Sequence, residues 1–404
     1  MNNKSILLAG ALSLGVAGLA IGEQHTYVAG PTAVGRGAGH PVPQTTYQYV
    51  YMTGSTAARA AFYTAIIDGA TVFDAAPTII TQGSSNPSGA TYMNFVGTLG
   101  GVATILKCHW SGSEGGIADL AGSGTEQFLD DSAVNSLSSS SPGPFVSSTI
   151  DLAAADNNVV YSRNPGAAVT GKEVCIIAFK WEKEKGSAAG LTGVTDQGLR
   201  EALAGGAKLA QFTGNPADTS WVYVSGRDHN SGTRVNSFGD TGYGIFTAPF
   251  QLEVNANGSM IVQTDGNVLG DYGYSGGGSV ATQLGYDLSQ SSAVDIANST
   301  TAQPYSVVAY LGIADATTAE ANGAAPLTYN GVAYSVAAVQ QGQYNFWGNE
   351  YIYHKNTVSS QATTVYNKLS ASTGVSGHAD GVLTISLSSM QAVRNGPTSD
   401  PSHL

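Results

Sequence analysis

At 404 residues the chain is long enough for two domains or lobes, and with 42% hydrophobic and only 11% charged residues its composition excludes an intrinsically disordered protein. A formal net charge of −12 argues against nucleic acid and against an anionic membrane surface as partners. It does not exclude a small anion enclosed in a site, which senses nearby N–H dipoles and one or two cations while surface charges are screened over about 8–10 Å.

The chain opens with the layout of a secretory signal peptide over residues 1–22: Lys4, an apolar run from Ile6 to Leu19 broken by glycines, then the small residues Ala20 and Gly22. The run is shorter and richer in glycine than the roughly 20 apolar residues of a membrane anchor, and no cysteine stands nearby to take a lipid. The expectation is a secreted protein, periplasmic or extracellular after cleavage and without a membrane anchor. Residues 23–48, rich in Gly, Pro, Thr and Val, read as an extended N-terminal arm, a candidate for self-assembly.

Tyr47, Tyr49 and Tyr51 alternate as in a strand, Gly54-Ser55-Thr56 forms a tight turn, and AARAAFYTAI has helix formers at apolar spacing. A strand, such a turn and a helix start place free N–H groups and a hydroxyl at one point, the makings of an anion loop. The design recurs in VATILKCHWSGSEGGIADL, where Gly112-Ser113 turns the chain and GGIADL opens a helix. TQGSSNPSGATYMN reads as an insertion, and Gly122 to Ser148, centred on SLSSSSPGPFVSS, as a long surface loop or small insertion. Order resumes at TIDLAAAD, with Ile150 and Leu152 in a short buried strand and Asp156 just past its end.

The charge cluster KWEKEKG, Lys180 to Gly186, reads as a solvated loop near a crossing between lobes. After the strand-like WVYV comes VSGRDHNSGTRVN. Ser-Gly-Thr triplets are frequent in turns, and the chain has 52 glycines. The preceding strand, the arginine four residues before Ser231 and the earlier loops favour a site instead. Arg227 presents a planar fork of donors to a tetrahedral oxyanion, and Ser231, Gly232 and Thr233 add hydroxyls and backbone N–H groups at a helix start. Farther on, DYGYSGGGSVATQL, YSVVAYLGIA and QYNFWGNEYIYHK read as a glycine-opened helix and two strands. TTVYNKLSASTGV reads as a helix, VLTISLSSMQAV as a short strand or helix, and RNGPTSDPSHL as a frayed terminus.

The four loops together resemble the periplasmic phosphate-binding proteins of ABC phosphate importers, the PstS-like family. Gly54 to Ala57 match its first loop, Gly112, Ser113, Gly115 and Gly116 its second, IDLAAAD its third, and Arg227, Ser231, Gly232 and Thr233 its fourth. The resemblance implies an α/β, two-lobed periplasmic-binding-protein-like (type II) fold with two crossing strands. Lobe one would hold residues 49–172 and 336–404, and lobe two residues 173–335. It further implies phosphate bound in the inter-lobe cleft by Ser55, Thr56, Ala57, Ser113, Asp156, Arg227, Ser231, Gly232 and Thr233, for delivery to an ABC permease. The fourth loop departs from the family pattern, carrying His229 and Asn230 where Asp-Gly is usual, with an acid at Asp228 instead, so the aspartate that in the family holds the arginine is not at its usual place.

The chemistry of the set is coherent by itself. Hydroxyls, helix N-termini and Arg227 donate, whereas an ionised Asp156 only accepts, so it requires a ligand that still carries a proton, such as hydrogen phosphate or dihydrogen phosphate and not sulfate. No spacing of the seven histidines with other ligands suggests a metal, no cofactor is implied, and Thr56 and Ser113 have no neighbouring base for phosphatase chemistry. The alternative is a secreted surface or self-assembling structural protein on the same fold. Cys108 and Cys175, the only cysteines, both lie in strand-like runs, and the sequence leaves their pairing open.

Overall fold

The computed structural model describes residues 25–26, 46–122, 124–137, 141–254, 260–265, 268–287, 305–394 and 401–403. The expected signal peptide lies outside the described residues, as does most of the arm, of which His25 and Thr26 pair antiparallel with Tyr47 and Thr46.

The tyrosine alternation is β1 (Thr46–Gly54), followed by α1 (Arg59–Ile67). Next come β2 (Thr78–Gln82), β3 (Tyr92–Leu99) and β4 (Val102–His109), an antiparallel meander, then α2 (Ser113–Ala121). β1 runs parallel to β4, from Gln48 opposite Thr104 to Thr53 opposite His109. Successive side chains of a strand point to opposite faces. Val50, Met52, Leu106 and Cys108 therefore face α1 and its Phe62 and Ile66, while Tyr49, Tyr51 and Ile105 face Ile117 and Leu120 of α2.

The stretch expected as a long surface loop or small insertion holds a hairpin, β5 (Thr125–Leu129) and β6 (Phe145–Thr149), paired from Thr125 opposite Thr149 to Leu129 opposite Phe145. Phe128 is buried, its ring centroid 4.9 Å from that of Tyr51, and the Lys107 ammonium lies 2.7 Å from Asp131 beyond it. The serine-rich composition hid two short strands whose order comes from the tyrosine face they cover. TQGSSNPSGATYMN is likewise the turn and flanks of the β2–β3 hairpin, with Asn86 capping a single 3-10 turn.

β7 (Leu152–Ala155) runs parallel to β1, and β8 (Val169–Lys183) follows. The second half supplies α3 (Asp196–Gly205), β9 (Trp221–Ser225), α4 (Gly232–Asp240), α5 (Gly277–Leu284), β10 (Tyr305–Gly312) and α6 (Ile313–Ala321). The chain then returns through β11 (Trp347–Lys355) and ends on α7 (Ser360–Leu369) and short strands. The principal sheet has 12 strands, with the central order β9-β10-β8-β11-β7-β1-β4-β3-β2. β8 pairs with β11 over Val169–Ala178 and with β10 over Phe179–Lys183, so one 15-residue strand runs from one half into the other. β8 and β11 are the two crossing strands of a two-lobed α/β fold.

Two further expectations change. KWEKEKG is not a solvated loop: Lys180–Lys183 end β8, and Glu182 and Glu184 are buried because pairing with β10 turns them inward. The C-terminus is tied down, with Ala392–Arg394 paired to Pro401–His403 and Arg394 Nη1 2.6 Å from Asp240; residues 395–400 lie outside the described residues. Cys108 and Cys175 are both buried free thiols.

Candidate functional site

Close backbone approach builds the site before any side chain is considered. Gly54 ends β1 at φ +121°, and a Cβ there would lie 1.9 Å from the carbonyl oxygen of Ala154. Gly112, the N-cap of α2, sits at φ +104°, donates its N–H to Gly54 O at 2.8 Å, and would meet Asn230 O at 2.5 Å with a Cβ. These conformations suit glycine. The Glu114 N–H reaches Asn230 O at 2.9 Å, so the first, second and fourth loops touch through main chain.

On this scaffold the structure brings Ser113, Asp156, Gly232 and Thr233 to one point. Ser113 Oγ donates to Asp156 Oδ1 at 2.7 Å and accepts the Asp156 N–H at 3.2 Å, and Thr233 Oγ1 donates to Asp156 Oδ2 at 3.3 Å. Asn236 Nδ2, one turn into α4, donates to the Asp156 carbonyl at 2.7 Å. Arg227 lies across from the first loop, its Nη2 within 3.5 Å of Thr56 Oγ1, and its charge acts on Asp156. In place of the aspartate that His229 displaces, two carbonyls hold the guanidinium: Nε donates to Tyr274 O at 3.1 Å and Nη2 to Ser275 O at 2.7 Å.

The remaining expected residues have structural partners. Ser231 is the N-cap of α4, its Oγ accepting the Arg234 N–H at 3.2 Å. Ser55 is fully buried; its Oγ accepts the Ala58 N–H at 3.2 Å and donates to Glu350 Oε2 at 3.1 Å. Ala57 is half-buried against Gly312, where a Cβ would lie 3.7 Å from its own.

Three residues escaped the sequence reading. Glu350 sits in β11 with Oε1 lacking a hydrogen bond, at a register shift of the strand opposite Cys175, a placement of the kind bulges create beside sites. Its only signal was a lone acid in an aromatic strand. Arg234 donates to Arg227 O at 3.2 Å and to Asp271 O at 2.5 Å, bracing the fourth loop from behind. Glu114, buried in the first turn of α2, takes Asn157 Nδ2 and the Arg163 N–H at 2.7 Å each, fixing the chain that follows Asp156.

Electrostatics at this point are dominated by burial. Desolvation pushes the Asp156 carboxyl above its ordinary value, opposed by Ser113, Arg227 and Thr233. Burial and then the charge of Asp156 push Glu350 well up, opposed by Ser55. Of this pair, Asp156 has the arginine and two hydroxyls and is the one placed to carry the negative charge. The arrangement can present donors on several sides and one acceptor to an oxyanion. Among the described residues no group of three or more His, Cys, Asp or Glu is placed to hold a metal, and no helix is long and apolar enough to cross a membrane.

Sheet order, crossing strands and a cluster of loops from both halves define the class: a two-lobed, type II periplasmic-binding-protein-like fold. Its solved neighbours include proteins described as phosphate-binding or as parts of phosphate ABC transporters. One from Clostridium perfringens, described as a candidate phosphate ABC transporter substrate-binding protein with bound phosphate, aligns with 84% of this chain and 100% of its own at TM-score 0.51 and 10% identity. PstS from Borrelia burgdorferi aligns at TM-score 0.40 and 14% identity over 84% and 98% of the two chains. An ABC-type phosphate transport receptor from Vibrio cholerae gives 0.41 and 10% over 81% and 95%. The first of these carries the likeness, and at 10% identity it is a likeness of fold. No family model and no curated protein matches the sequence.

Proposed function

We propose that this protein is an exported, non-enzymatic solute-binding protein that captures hydrogen phosphate or dihydrogen phosphate in its inter-lobe cleft for an ABC-type importer. The observation that carries the reading is the meeting of a buried aspartate with an arginine, two hydroxyls and two helix N-termini, all drawn from loops far apart in sequence. In this reading lobe one is 49–172 with 336–404, lobe two is 173–335, and a signal peptide directs the chain to the periplasm or outside the cell. Phosphate enters an opened cleft, and the hydroxyls of Ser113 and Thr233, now on Asp156, turn to its oxygens together with Thr56 and the free face of Arg227. Asp156 then accepts the ligand's own proton. Sulfate has none to give and leaves a buried carboxylate facing an unprotonated oxygen, which costs several kcal/mol. The likeness of fold to proteins described as phosphate receptors supports the same ligand.

Calorimetric titration of the chain with phosphate and with sulfate tests this. Phosphate heat without sulfate heat is expected, with affinity falling about 30- to 1000-fold in Asp156→Asn and Arg227→Ala, the range for losing a charge-assisted hydrogen bond in a closed site. Equal heats for the two anions, or none for either, overturn it.

A further inference from the structure

Asn157, the residue after Asp156, is buried and keeps one polar atom without a partner. Its Nδ2 donates to Glu114 Oε1 at 2.7 Å, while its Oδ1, equally withdrawn from water, accepts no hydrogen bond. Such an acceptor has lost its water and gained nothing in return, which native chains seldom tolerate. Nor can the amide turn over to relieve it. Glu114 accepts through both oxygens, from Asn157 Nδ2 and from the Arg163 N–H at 2.7 Å, so a reversed amide would set its oxygen against a carboxylate oxygen. The main chain is held as well: Asn236 Nδ2 donates to the Asp156 carbonyl at 2.7 Å, and the Tyr353 hydroxyl to the Asn157 carbonyl at 3.4 Å.

The oxygen fixed in this way lies at the start of α4. A Cβ built on Gly232 would stand 1.6 Å from Asp156 Oδ1 and 2.7 Å from Asn157 Oδ1. Two acceptors on adjacent residues therefore converge on the first residue of that helix, where the anion is proposed to sit. Asp156 already receives the hydroxyls of Ser113 and Thr233, and Asn157 Oδ1 receives none. An amide oxygen adds an acceptor without adding charge, so it does not repel an anion as a second carboxylate would.

We infer that Asn157 Oδ1 accepts a hydrogen bond from a second hydroxyl of the ligand, so that the site takes dihydrogen phosphate in preference to hydrogen phosphate. The inference rests on the phosphate reading and deepens it by naming the ionisation state that is captured. One ligand hydroxyl donates to Asp156 and the other to Asn157, and the two unprotonated oxygens are left for Arg227 and the N–H groups at the helix starts. Hydrogen phosphate has a single proton to give, fills one acceptor and leaves the amide oxygen bare. Glu114 is the positioning residue of this arrangement: it acts on the ligand only by fixing which end of the Asn157 amide faces Gly232.

The test compares phosphate with phosphite by calorimetric titration in mildly acidic buffer, below the second ionisation of both acids. Both are then tetrahedral monoanions, but phosphate offers two O–H groups and phosphite one O–H and one P–H. The wild type is expected to favour phosphate, and Asn157→Ala to lower the ratio of the two affinities about tenfold by weakening phosphate alone, the scale of one buried hydrogen bond. Because the ratio is taken within one variant, damage common to both anions cancels. Glu114→Gln should lower the ratio too, since its amide can donate to Asn157 Oδ1 and turn Nδ2 towards the ligand. A ratio that stays at the wild-type value in either variant overturns the inference and leaves phosphate binding standing. A wild type that takes up neither anion ends the phosphate reading and this inference with it.

Discussion

A methyl group on residue 232 would arrive 1.6 Å from Asp156 Oδ1, 2.7 Å from Asn157 Oδ1 and 2.7 Å from the Ser113 Cβ. None of these atoms is the end of a flexible side chain with room to retreat, because Asp156 and Ser113 hold each other by two hydrogen bonds. Gly232→Ala is therefore expected to prevent the fourth loop from seating on the third, lowering phosphate affinity at least 100-fold. Gly166→Ala, where a Cβ meets nothing within 4 Å, should bind as the wild type does. Isothermal titration of both variants checks the contrast, and equal affinities would show that the loops need not touch. At this scale the sequence was readable where close approach of loops needs a local pattern: Gly-Ser-Thr, Gly-Ser-x-Gly-Gly and Ser-Gly-Thr are turns that meet in the folded chain. Glu350 was not readable, because its meaning arises only when β11 pairs beside the strand that ends just before Asp156 and aims it at Ser55. Arg234 was hidden for a related reason: it stands in the motif, but its partner Asp271 is 37 residues away.

The crossing strand β8 shows how an element changes the chemistry of its residues. In KWEK the alternation that pairs β8 with β10 buries Glu182 completely while Lys180 stays beside it at 3.3 Å. Burial raises the Glu182 carboxyl to about 8 from an ordinary 4.5, with Lys180 opposing. Between those two values the folded chain keeps a proton that the unfolded chain has released. The stabilisation is therefore full below about pH 4.5 and declines as pH rises towards 8, by at most about 1.4 kcal/mol per unit. Glu182→Gln imitates the protonated form at every pH, so its melting temperature should fall less than that of the wild type between pH 5 and 8. Parallel melting curves would place Glu182 in contact with water. A reading from composition took this stretch for a solvated loop because five charges in seven residues usually are one. The β5–β6 hairpin was lost in the same way, since its order comes from the tyrosine face of β1 and not from its own serines. The alternating tyrosines made β1 legible from the start, and β4 and β7 were readable as strand-like runs, although Ile150, read with Leu152, falls before β7.

For the whole molecule the decisive fact is continuity: one sheet passes through both halves, and β8 shares its hydrogen bonds between them. Loss of either half strips partners from the same strand, so thermal unfolding is expected as a single transition. A ligand gripped by loops from both sides then stabilises the entire chain. At a free concentration 100 times its dissociation constant it adds about 2.7 kcal/mol. Unfolding entropy near 2.1 cal/mol/K per residue, over 404 residues, converts this to a rise of roughly 3 °C. Differential scanning calorimetry should show one peak moving up by that amount in phosphate, staying in place in equimolar sulfate, and hardly moving for Asp156→Asn in phosphate. Two peaks of which only one responds would mean that the lobes melt independently and that the anion is held by one of them. The fourth loop would then contribute little, and the cleft would lose its role as the place where the two halves meet around a ligand.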